Sequence, residues 1–283
     1  MIDPFTVLFG DPIGTPSLPK SARDIYGGDW VPLDPSERPY IFSNFVMSRD
    51  GRISFNEPGQ SGGGEVSGFN AHDRWVMALL RSRADAVLVG DNTLRTSPEH
   101  RWTAEYIYPE DLPFFEAVRA NDGRTGHPTQ IFLSLEGDLD PRSEALKRPD
   151  LAVIVATTSR GAERARKTAA TGPFTVLALG DEAVDLPKLV RVLRREHGIG
   201  NLLLEGGPRV YGGFIAADLV DDEFLTLSPV VIGGGELTAR PGLIEGQAFT
   251  PERHPTSIPL TLRKAGDHLF LHSRFRYPAT PDL

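Results

Sequence analysis

The sequence contains no cysteine. Disulfide bonds, thiolate nucleophiles and cysteine-ligated metal centres are therefore excluded within this chain. The sequence also has no apolar run near the roughly 18 residues that cross a bilayer. Its first residues, MIDPFTVLFGDPIG, lack the basic and long apolar regions of a secretory signal. We expect a cytoplasmic protein without a membrane partner.

The sequence has fewer basic than acidic residues. The 30 Lys and Arg residues are outnumbered by 38 Asp and Glu residues, which gives a formal net charge of -8. A protein that binds the phosphate backbone of nucleic acids needs a basic surface, so we expect no nucleic-acid partner. A small anionic ligand held by a few local arginines is still compatible with this balance.

The distribution of patterns along the chain indicates two regions. Residues 1–37 are rich in proline and glycine and weakly periodic. We interpret them as an N-terminal extension or arm, and we expect regular structure to begin at Arg38. Residues 38–283 alternate short apolar runs with helical patterns, which favours one α/β domain. With 283 residues and 40% hydrophobic content, the chain can bury a full core.

The predicted strands are short, apolar and often end in glycine, as buried parallel strands do. They cover residues 39–47, 84–90, 129–134, 151–157, 174–180 and 201–205. Helices are predicted from Asn70, as the capping residue, to about Arg83, and over residues 186–197 and 208–217. The C-terminal part, from EFLTLSPVVI onward, alternates with period two and contains a Gly266-Asp267 hairpin turn, as antiparallel strands do. The sequence therefore predicts a mixed, mostly parallel sheet flanked by helices, with C-terminal antiparallel strands.

One predicted strand end is VGDNTL, where a strand stops at Gly90. Ligands bind at the carboxyl edge of parallel sheets, and free backbone N–H groups at such a turn suit a phosphate. Asn92 or Thr93 could cap the helix that follows. An ordinary strand-to-helix turn is the more frequent meaning of such a stretch.

A second strand end is LLLEGGPRV, in which a glutamate and two glycines follow three leucines. Gly206 and Gly207 place no side chain between the backbone and a ligand. Pro208 starts a helix whose N-terminus would face an anion. Because the spacing is not that of GxGxxG, the pattern is a weak dinucleotide signal by itself. Glu205 could equally be a surface carboxylate or an acceptor for a polar ligand ring.

Other polar residues allow two interpretations each. Asp50 in SRDG is more often a turn-forming aspartate than a catalytic one. Arg81 lies off the apolar face of its helix, where an arginine is usually solvated but could hold a phosphate. His268 and His272 are four residues apart, but on an alternating strand they lie about 13 Å from each other, too far to share one ion. We therefore expect no metal.

Three separated segments together resemble the pyrimidine reductase of riboflavin biosynthesis. They are FSNFVMSRDGRIS, LLRSRADAVLVGDNTL and LLLEGGPRVYGGFIAADLVDDEFLTLSPVVIGGG, and their order and spacing agree over about residues 38–277. The resemblance implies the dihydrofolate-reductase-like fold, NADPH as the cofactor and a homodimer. The implied reaction reduces a ribosylaminopyrimidine 5′-phosphate to the ribitylamino product, by hydride transfer to C1′ of the opened sugar.

The resemblance also implies roles for individual residues. On the substrate side it implies Asp50, Arg81, Arg101 and Glu205, with Asp50, Glu205 or water as the proton donor. On the cofactor side it implies Val46, Met47, Gly90, Thr93, Leu94, Ser134, Thr157, Gly206, Gly207, Pro208, Arg209, Val210, Tyr211 and Gly212. Arg160, just after VATTS, is our hypothesis for the side chain that binds the 2′-phosphate of NADPH.

The departures from the family lie on the substrate side. SGGGEVSG replaces a polar, often tryptophan-containing loop, and TLRTSP is shorter than the family's T-V-x-x-D-D-P and lacks its acids. His100 and Arg101 stand near where leucine and arginine would contact substrate. The zinc deaminase of the bifunctional members needs cysteine, so we expect a stand-alone reductase. Two alternatives stay open: a reductase of a related pterin-like or folate-like ring, and a nucleotide-binding module without turnover.

Overall fold

The computed structural model describes residues 1–10, 16–168, 170–235 and 238–278. These residues form one sheet of ten strands, flanked by helices. The strands are β1 (Thr6–Gly10), β2 (Tyr40–Met47), β3 (Ala86–Gly90), β4 (Thr129–Ser134), β5 (Val153–Thr157), β6 (Phe174–Ala178), β7 (Asn201–Leu204), β8 (Asp222–Leu227), β9 (Thr256–Ala265) and β10 (His268–Arg276).

The helices in the described residues are mostly short. They are α1 (Lys20–Tyr26), α2 (Gly63–Ser67), α3 (Ala71–Arg83), α4 (Asp91–Thr96), α5 (Ala104–Ile107), α6 (Leu112–Asn121), α7 (Glu144–Lys147), α8 (Ser159–Ala165), α9 (Leu186–His197) and α10 (Pro208–Ala216). Within the described ranges, no helix has both the length and the apolar character needed to cross a bilayer.

The strand order is β1-β9-β10-β8-β2-β7-β3-β4-β5-β6. From β8 to β6 every neighbouring pair is parallel, whereas β10, β9 and β1 are added by antiparallel pairing. This arrangement confirms the predicted mixed, mostly parallel sheet with antiparallel C-terminal strands. Because parallel neighbours are joined by crossover connections, helices come to lie on both faces of the sheet.

Strand β2 shows why the central strands are apolar at successive positions. Tyr40 and Phe42 belong to the core on the face that carries α3 and α6, whereas Ile41 belongs to the core on the face of α9 and α10. All three side chains are at most 1% exposed. Each large apolar side chain buried in this way contributes about 1.5–3 kcal/mol.

Several local predictions are confirmed. The side chain of Asn70 caps α3 by accepting hydrogen bonds from the backbone N–H groups of His72 and Asp73, at 2.9 and 3.1 Å. Helix α9 covers residues 186–197 as predicted and ends at Gly198, whose φ of 66° suits glycine. Gly266, with φ 56°, forms the turn between β9 and β10.

Two local predictions are wrong. Helix α4 has Gly90 as its N-cap, without a side-chain cap from Asn92 or Thr93. Strand β8 ends at Leu227, so it does not continue through SPVVI. The backbone N–H groups of Ile232 and Gly233 instead donate to the Asp50 carboxylate, which removes that segment from the sheet.

The N-terminal segment packs on its own chain. Strand β1 pairs with β9, and α1 buries Tyr26 in the main core. Trp30 is 1% exposed and lies under the guanidinium of Arg83, 4.5 Å from the ring centroid. The expectation that regular structure begins at Arg38 is therefore wrong, because isolated aromatic anchors give no periodic signal. The domain boundary at residue 38 stays a prediction.

Replacing Phe5 by alanine tests whether this arm belongs to the core. Phe5 is 5% exposed, and its ring lies 4.9 Å from that of Phe270 and 5.9 Å from that of Trp75. We expect the variant to lose about 3–5 kcal/mol of unfolding free energy in urea titrations, because it leaves a cavity. Leu33→Ala in the same arm is the matched control, since Leu33 is 39% exposed. Equal stability of Phe5→Ala and wild type would show that the arm is not part of the core.

Candidate active site

The carboxyl ends of β3, β4 and β7 open into one cleft with a volume of about 1440 Å³. Six of the residues predicted on the cofactor side line it: Gly90, Thr93, Gly207, Pro208, Arg209 and Val210. Because these positions come from two strand ends that are separated in sequence, the sheet brings the two predicted turns together. The cleft is large enough for a nucleotide-sized ligand.

The two glycines after β7 have different roles. A side chain at Gly206 would place its Cβ 3.1 Å from the backbone N of Gly90 and from the Cα of Val89, so it would crowd the turn against the backbone of β3. At Gly207 an added Cβ would approach only the Thr93 hydroxyl, at 3.9 Å, and would otherwise enter the cleft. Gly206 therefore serves packing, and Gly207 keeps the cleft open.

The same turn provides donors for an anion. Gly207 is the N-cap of α10 and makes no side-chain capping bond, and Pro208 occupies the first turn. The N–H groups of this first turn, including those of Arg209 and Val210, therefore lack a side-chain acceptor at the lip of the cleft. Together with the helix dipole, they fit a diphosphate of a nucleotide cofactor.

Other predicted cofactor residues do not line the cleft but contact residues of its wall. Ser134 is 1% exposed and donates to the Asp91 carboxylate at 2.8 Å. The Thr157 hydroxyl donates to the Leu135 carbonyl at 3.3 Å, and Leu94 is fully buried in the core. Asp91 and Leu135 themselves line the cleft, so these side chains fix its wall.

Tyr211 is buried away from the cleft. Its hydroxyl donates to the Glu223 carboxylate at 2.5 Å and accepts from Ser43 at 3.2 Å, while its ring contacts that of Phe45. Burial, and then the Glu223 carboxylate, raise the pKa of Tyr211 well above its usual range. An added Cβ at Gly212 would lie 2.7 Å from the Glu245 carbonyl. Both residues therefore anchor α10.

The last three cofactor-side predictions, Val46, Met47 and Arg160, are not among the residues that line the cleft. Val46 packs against Val66 and Ile232, and Met47 is half-buried opposite Leu227. Arg160 is 73% exposed and forms an ion pair with Glu136, which lines the cleft. Arg160 is thus near the cleft wall, but its guanidinium is already paired.

Glu205 and Arg81 form a buried ion pair. Glu205 follows β7 on the same side as Leu203, which faces the core around α3. Arg81 on α3 is 1% exposed. Its Nη2 donates to Glu205 at 2.6 Å and its Nε at 3.0 and 3.2 Å. The interpretation of Arg81 as a solvated arginine is therefore wrong, and two of the four substrate-side predictions, Arg81 and Glu205, are in direct contact.

The remaining donors of Arg81 hold the segment that contains His100. Nη1 donates to the carbonyl of Thr103 at 3.1 Å and of Arg101 at 3.4 Å, and Nη2 lies 3.0 Å from Nε2 of His100. Burial lowers the pKa of His100 well below its usual range, and the Arg81 and Arg101 guanidiniums lower it further. His100 was noted in the sequence only as a departure from the family. No sequence pattern indicated its bond to Arg81.

Asp50 holds a loop in place. Its carboxylate accepts from the backbone N–H groups of Ile232 and Gly233 at 3.0 and 2.6 Å, and from the Ser48 hydroxyl at 2.7 Å. These bonds lower the pKa of Asp50 to about 2. These contacts give Asp50 a structural role. A catalytic role of Asp50 stays a prediction. Among the described residues, no hydrogen bond joins Asp50 to Arg81 or Glu205.

The two histidines of β10 have unrelated surroundings. His268 Nε2 lies 2.9 Å from the Ser67 carbonyl, and His272 Nε2 lies 3.0 Å from the Asp222 carboxylate. The interpretation of HLFLH as a strand rather than a helix is confirmed. In the described part of the chain, no group of three or more potential metal-binding side chains comes together.

A mixed α/β fold with a cleft at the carboxyl edge, a glycine turn and an uncapped helix N-terminus defines a nucleotide-binding class of protein. Residues 39–262 match the model of the RibD C-terminal domain family. The chain belongs to this family, whose named members are reductases, and the reductase family implies a nucleotide cofactor.

Two relatives are both 2,5-diamino-6-ribosylamino-4(3H)-pyrimidinone 5′-phosphate reductases. The protein of Aquifex aeolicus is 29% identical over 214 residues, which are 75% of this chain and 85% of the relative. The protein of Archaeoglobus fulgidus is 25% identical over 212 residues, which are 75% of this chain and 89% of the relative.

Solved structures share the fold. A pyrimidine reductase-like protein of Corynebacterium diphtheriae has a TM-score of 0.66 and 20% identity, over 91% of this chain and 99% of that protein. RibD of Acinetobacter baumannii has a TM-score of 0.63 and 16% identity, over 85% of this chain. This chain spans 59% of that longer protein.

Replacing Glu205 by glutamine tests the ion pair. The variant leaves the Arg81 charge buried without a counter-charge, so we expect a loss of about 3–5 kcal/mol in unfolding free energy. Adding Arg81→Leu should recover only part of this loss, because it removes the unpaired charge but also the donors to the carbonyls of Thr103 and Arg101. Asp24→Asn is the control, since the Asp24–Lys20 pair is exposed and such pairs contribute about 0–1 kcal/mol. Wild-type stability of Glu205→Gln in urea would contradict the prediction.

Proposed function

We propose that the chain reduces a ribosylaminopyrimidine 5′-phosphate to the ribitylamino product with NADPH. The observation that carries this proposal is the turn after β7. There, Glu205 faces α3 and Arg81, while Gly207, two residues later, lines the nucleotide-sized cleft. A cofactor in the cleft and a substrate beside Glu205 would meet at one strand end.

The names of the relatives support the substrate class. The three relatives of Aquifex aeolicus, Archaeoglobus fulgidus and Methanothermobacter thermautotrophicus carry the same activity in their names. Their names specify the 2,5-diamino pyrimidinone, which carries two amino groups on its ring. We therefore infer that this chain also takes the diamino substrate rather than its deaminated form.

In the proposed reaction, some residues position the reactants and others bind polar groups of the substrate. NADPH, when bound, supplies the hydride. The glycine turn and the first turn of α10 would hold its diphosphate and so fix the position of the nicotinamide relative to the substrate. Glu205 accepts hydrogen bonds from substrate N–H or O–H groups. Asp50 is ionised at neutral pH because its pKa is about 2, so it is unsuited to donate the proton that the reduction requires.

The preference for NADPH over NADH is inferred from the resemblance. Arg160 stays our candidate for the 2′-phosphate, although it must leave Glu136 to reach one. Three further guanidiniums, of Arg52, Arg209 and Arg240, line the cleft and could share that role. A cytoplasmic location also stays a prediction.

The test follows loss of NADPH absorbance with the purified protein. We expect turnover with the diamino ribosylaminopyrimidine phosphate and little with dihydrofolate. Faster turnover with dihydrofolate would replace the proposal by the folate-type alternative. NADPH binding by calorimetry without turnover on either compound would favour a nucleotide-binding module.

Gly207→Ala tests the cofactor side separately. The backbone of Gly207, with φ -60° and ψ 172°, is ordinary for alanine, so the variant should fold with an unchanged Tm. Its Cβ enters the cleft, and such crowding costs about 1–3 kcal/mol, so we expect the KM for NADPH to rise roughly tenfold. The KM for the pyrimidine should change little. An unchanged NADPH KM would show that the cofactor does not contact this turn.

We also propose a homodimer, from the resemblance and from an apolar row across the antiparallel strands. Phe9, Leu262, Leu271 and Leu225 lie directly opposite one another on four neighbouring strands. Phe9 is 47% exposed, and Leu262 and Leu271 are partly exposed. A second copy packed on this row would remove these side chains from water.

Light scattering tests this assembly. We expect a mass about twice the 30.9 kDa of one chain. Leu271→Glu should give monomers, because it places a charge in the buried row. Val31→Glu is the control, at a position that is 45% exposed and outside the row. A monomeric wild-type protein at all concentrations would contradict the proposal.

A further inference from the structure

The bond between Arg81 and His100 determines which nitrogen of the imidazole carries the proton. A guanidinium has five N–H donors and no acceptor. Nε2 of His100, 3.0 Å from Nη2 of Arg81, must therefore accept this hydrogen bond with its lone pair. A neutral imidazole whose Nε2 is an acceptor carries its proton on Nδ1. Arg81 thus holds the neutral Nδ1–H tautomer.

Arg81 itself has no donor left for a ligand. Each of its five N–H hydrogens has an acceptor, in Glu205, His100 or the carbonyls of Thr103 and Arg101. Its side chain is only 1% exposed. Direct contact between Arg81 and a substrate would require the loss of a buried charge-assisted bond, which is costly.

The other nitrogen of His100 is free to bind. Within the part of the chain that the structure describes, Nδ1 forms no hydrogen bond, and His100 is half-buried. The ring packs against those of Trp102 and Tyr106, with centroids 4.9 and 4.4 Å away. A donor of known tautomer in a packed ring is preorganised for an acceptor.

The charged surroundings favour an anionic acceptor. Arg101, the next residue, places its guanidinium over the Tyr106 ring at 4.8 Å. Among the described residues, the Arg101 side chain has no hydrogen-bond or ion-pair partner. Burial, and then the Arg81 and Arg101 guanidiniums, hold the pKa of His100 well below its usual range, so the ring is neutral at neutral pH. A neutral N–H donor beside an unpaired guanidinium suits a phosphate oxygen.

We propose that His100 contacts the substrate, donating a hydrogen bond from Nδ1–H to an oxygen of its 5′-phosphate. Arg81 is then a positioning residue: it orients Glu205 with one edge of its guanidinium and sets the tautomer of His100 with another. This assignment rests on the proposed function. Under this assignment, His100 and Arg101 are neighbouring residues whose side chains both donate hydrogen bonds to the phosphate.

Two substitutions separate the two nitrogens of the ring. In His100→Gln the amide oxygen can occupy the place of Nε2 and accept from Arg81, but the donor at Nδ1 is lost. In His100→Asn the amide nitrogen can occupy the place of Nδ1 and donate, but the acceptor for Arg81 is lost. We expect the KM for the pyrimidine phosphate to rise roughly 10- to 100-fold in His100→Gln. In His100→Asn we expect it to stay within about threefold. The KM for NADPH should be unchanged in both.

An unchanged substrate KM in His100→Gln, or equal losses in both variants, would overturn the assignment. The tautomer is tested on the wild-type protein, so the test survives if a variant fails to fold. We expect 15N-edited spectra of the labelled histidines to show an unprotonated Nε2 at His100 from about pH 8 to pH 6. A proton on Nε2 in that range would also overturn the assignment.

Failure of the proposed function would look different. It would appear as absent turnover of the pyrimidine by the wild-type protein, whereas failure of the His100 assignment appears only in the comparison of variants and in the tautomer. If turnover is absent, titration of the wild type and His100→Gln with ribose 5-phosphate by calorimetry still tests the phosphate contact. Equal affinity of the two proteins would count against it.

Discussion

A single buried ion pair organises the substrate side of this protein. Glu205 directly follows the central strand β7, and Arg81 belongs to α3, so their 2.6 Å contact ties the helix to the sheet at the carboxyl edge. Neither charge could be buried alone, because an unpaired ion in the interior is strongly disfavoured. The other donors of Arg81 bind the segment around His100 and Thr103, which has little regular structure of its own. The geometry of that segment therefore follows from the pair.

The glycine turn next to Glu205 joins the two halves of the site. Side chains alternate along an extended chain, so Glu205 faces α3 while the following residues turn toward the cleft. Gly206 allows this only because its missing Cβ lets the turn lie against Gly90 of β3. In the proposed function, the distance between cofactor and substrate would be set by this backbone turn rather than by side chains. Asp50 adds to this rigidity by holding the backbone of Ile232 and Gly233.

Much of this architecture could be predicted because it is encoded by local patterns. The apolar strands, the Asn70 cap and the Gly198 stop follow from periodicity and capping, which act over a few residues. The packing of the N-terminal arm into the core could not be predicted, because Phe5 and Trp30 are single anchors without a repeat. Strand β8 is shorter than the alternation in SPVVI predicts, because a local pattern cannot reveal that Asp50, far away in sequence, accepts from the backbone N–H groups of Ile232 and Gly233.

The residues alone were sufficient for the fold class, the order of the segments and the glycine turn beside Glu205. Each depends on hydrophobic periodicity or on backbone freedom, which are properties of neighbouring residues. The pairing of Arg81 with Glu205, the tautomer of His100 and the burial of Tyr211 arose only in the folded chain. These features are contacts between residues 12 to 124 positions apart. Such contacts depend on which elements the core brings together, and no local pattern records that choice.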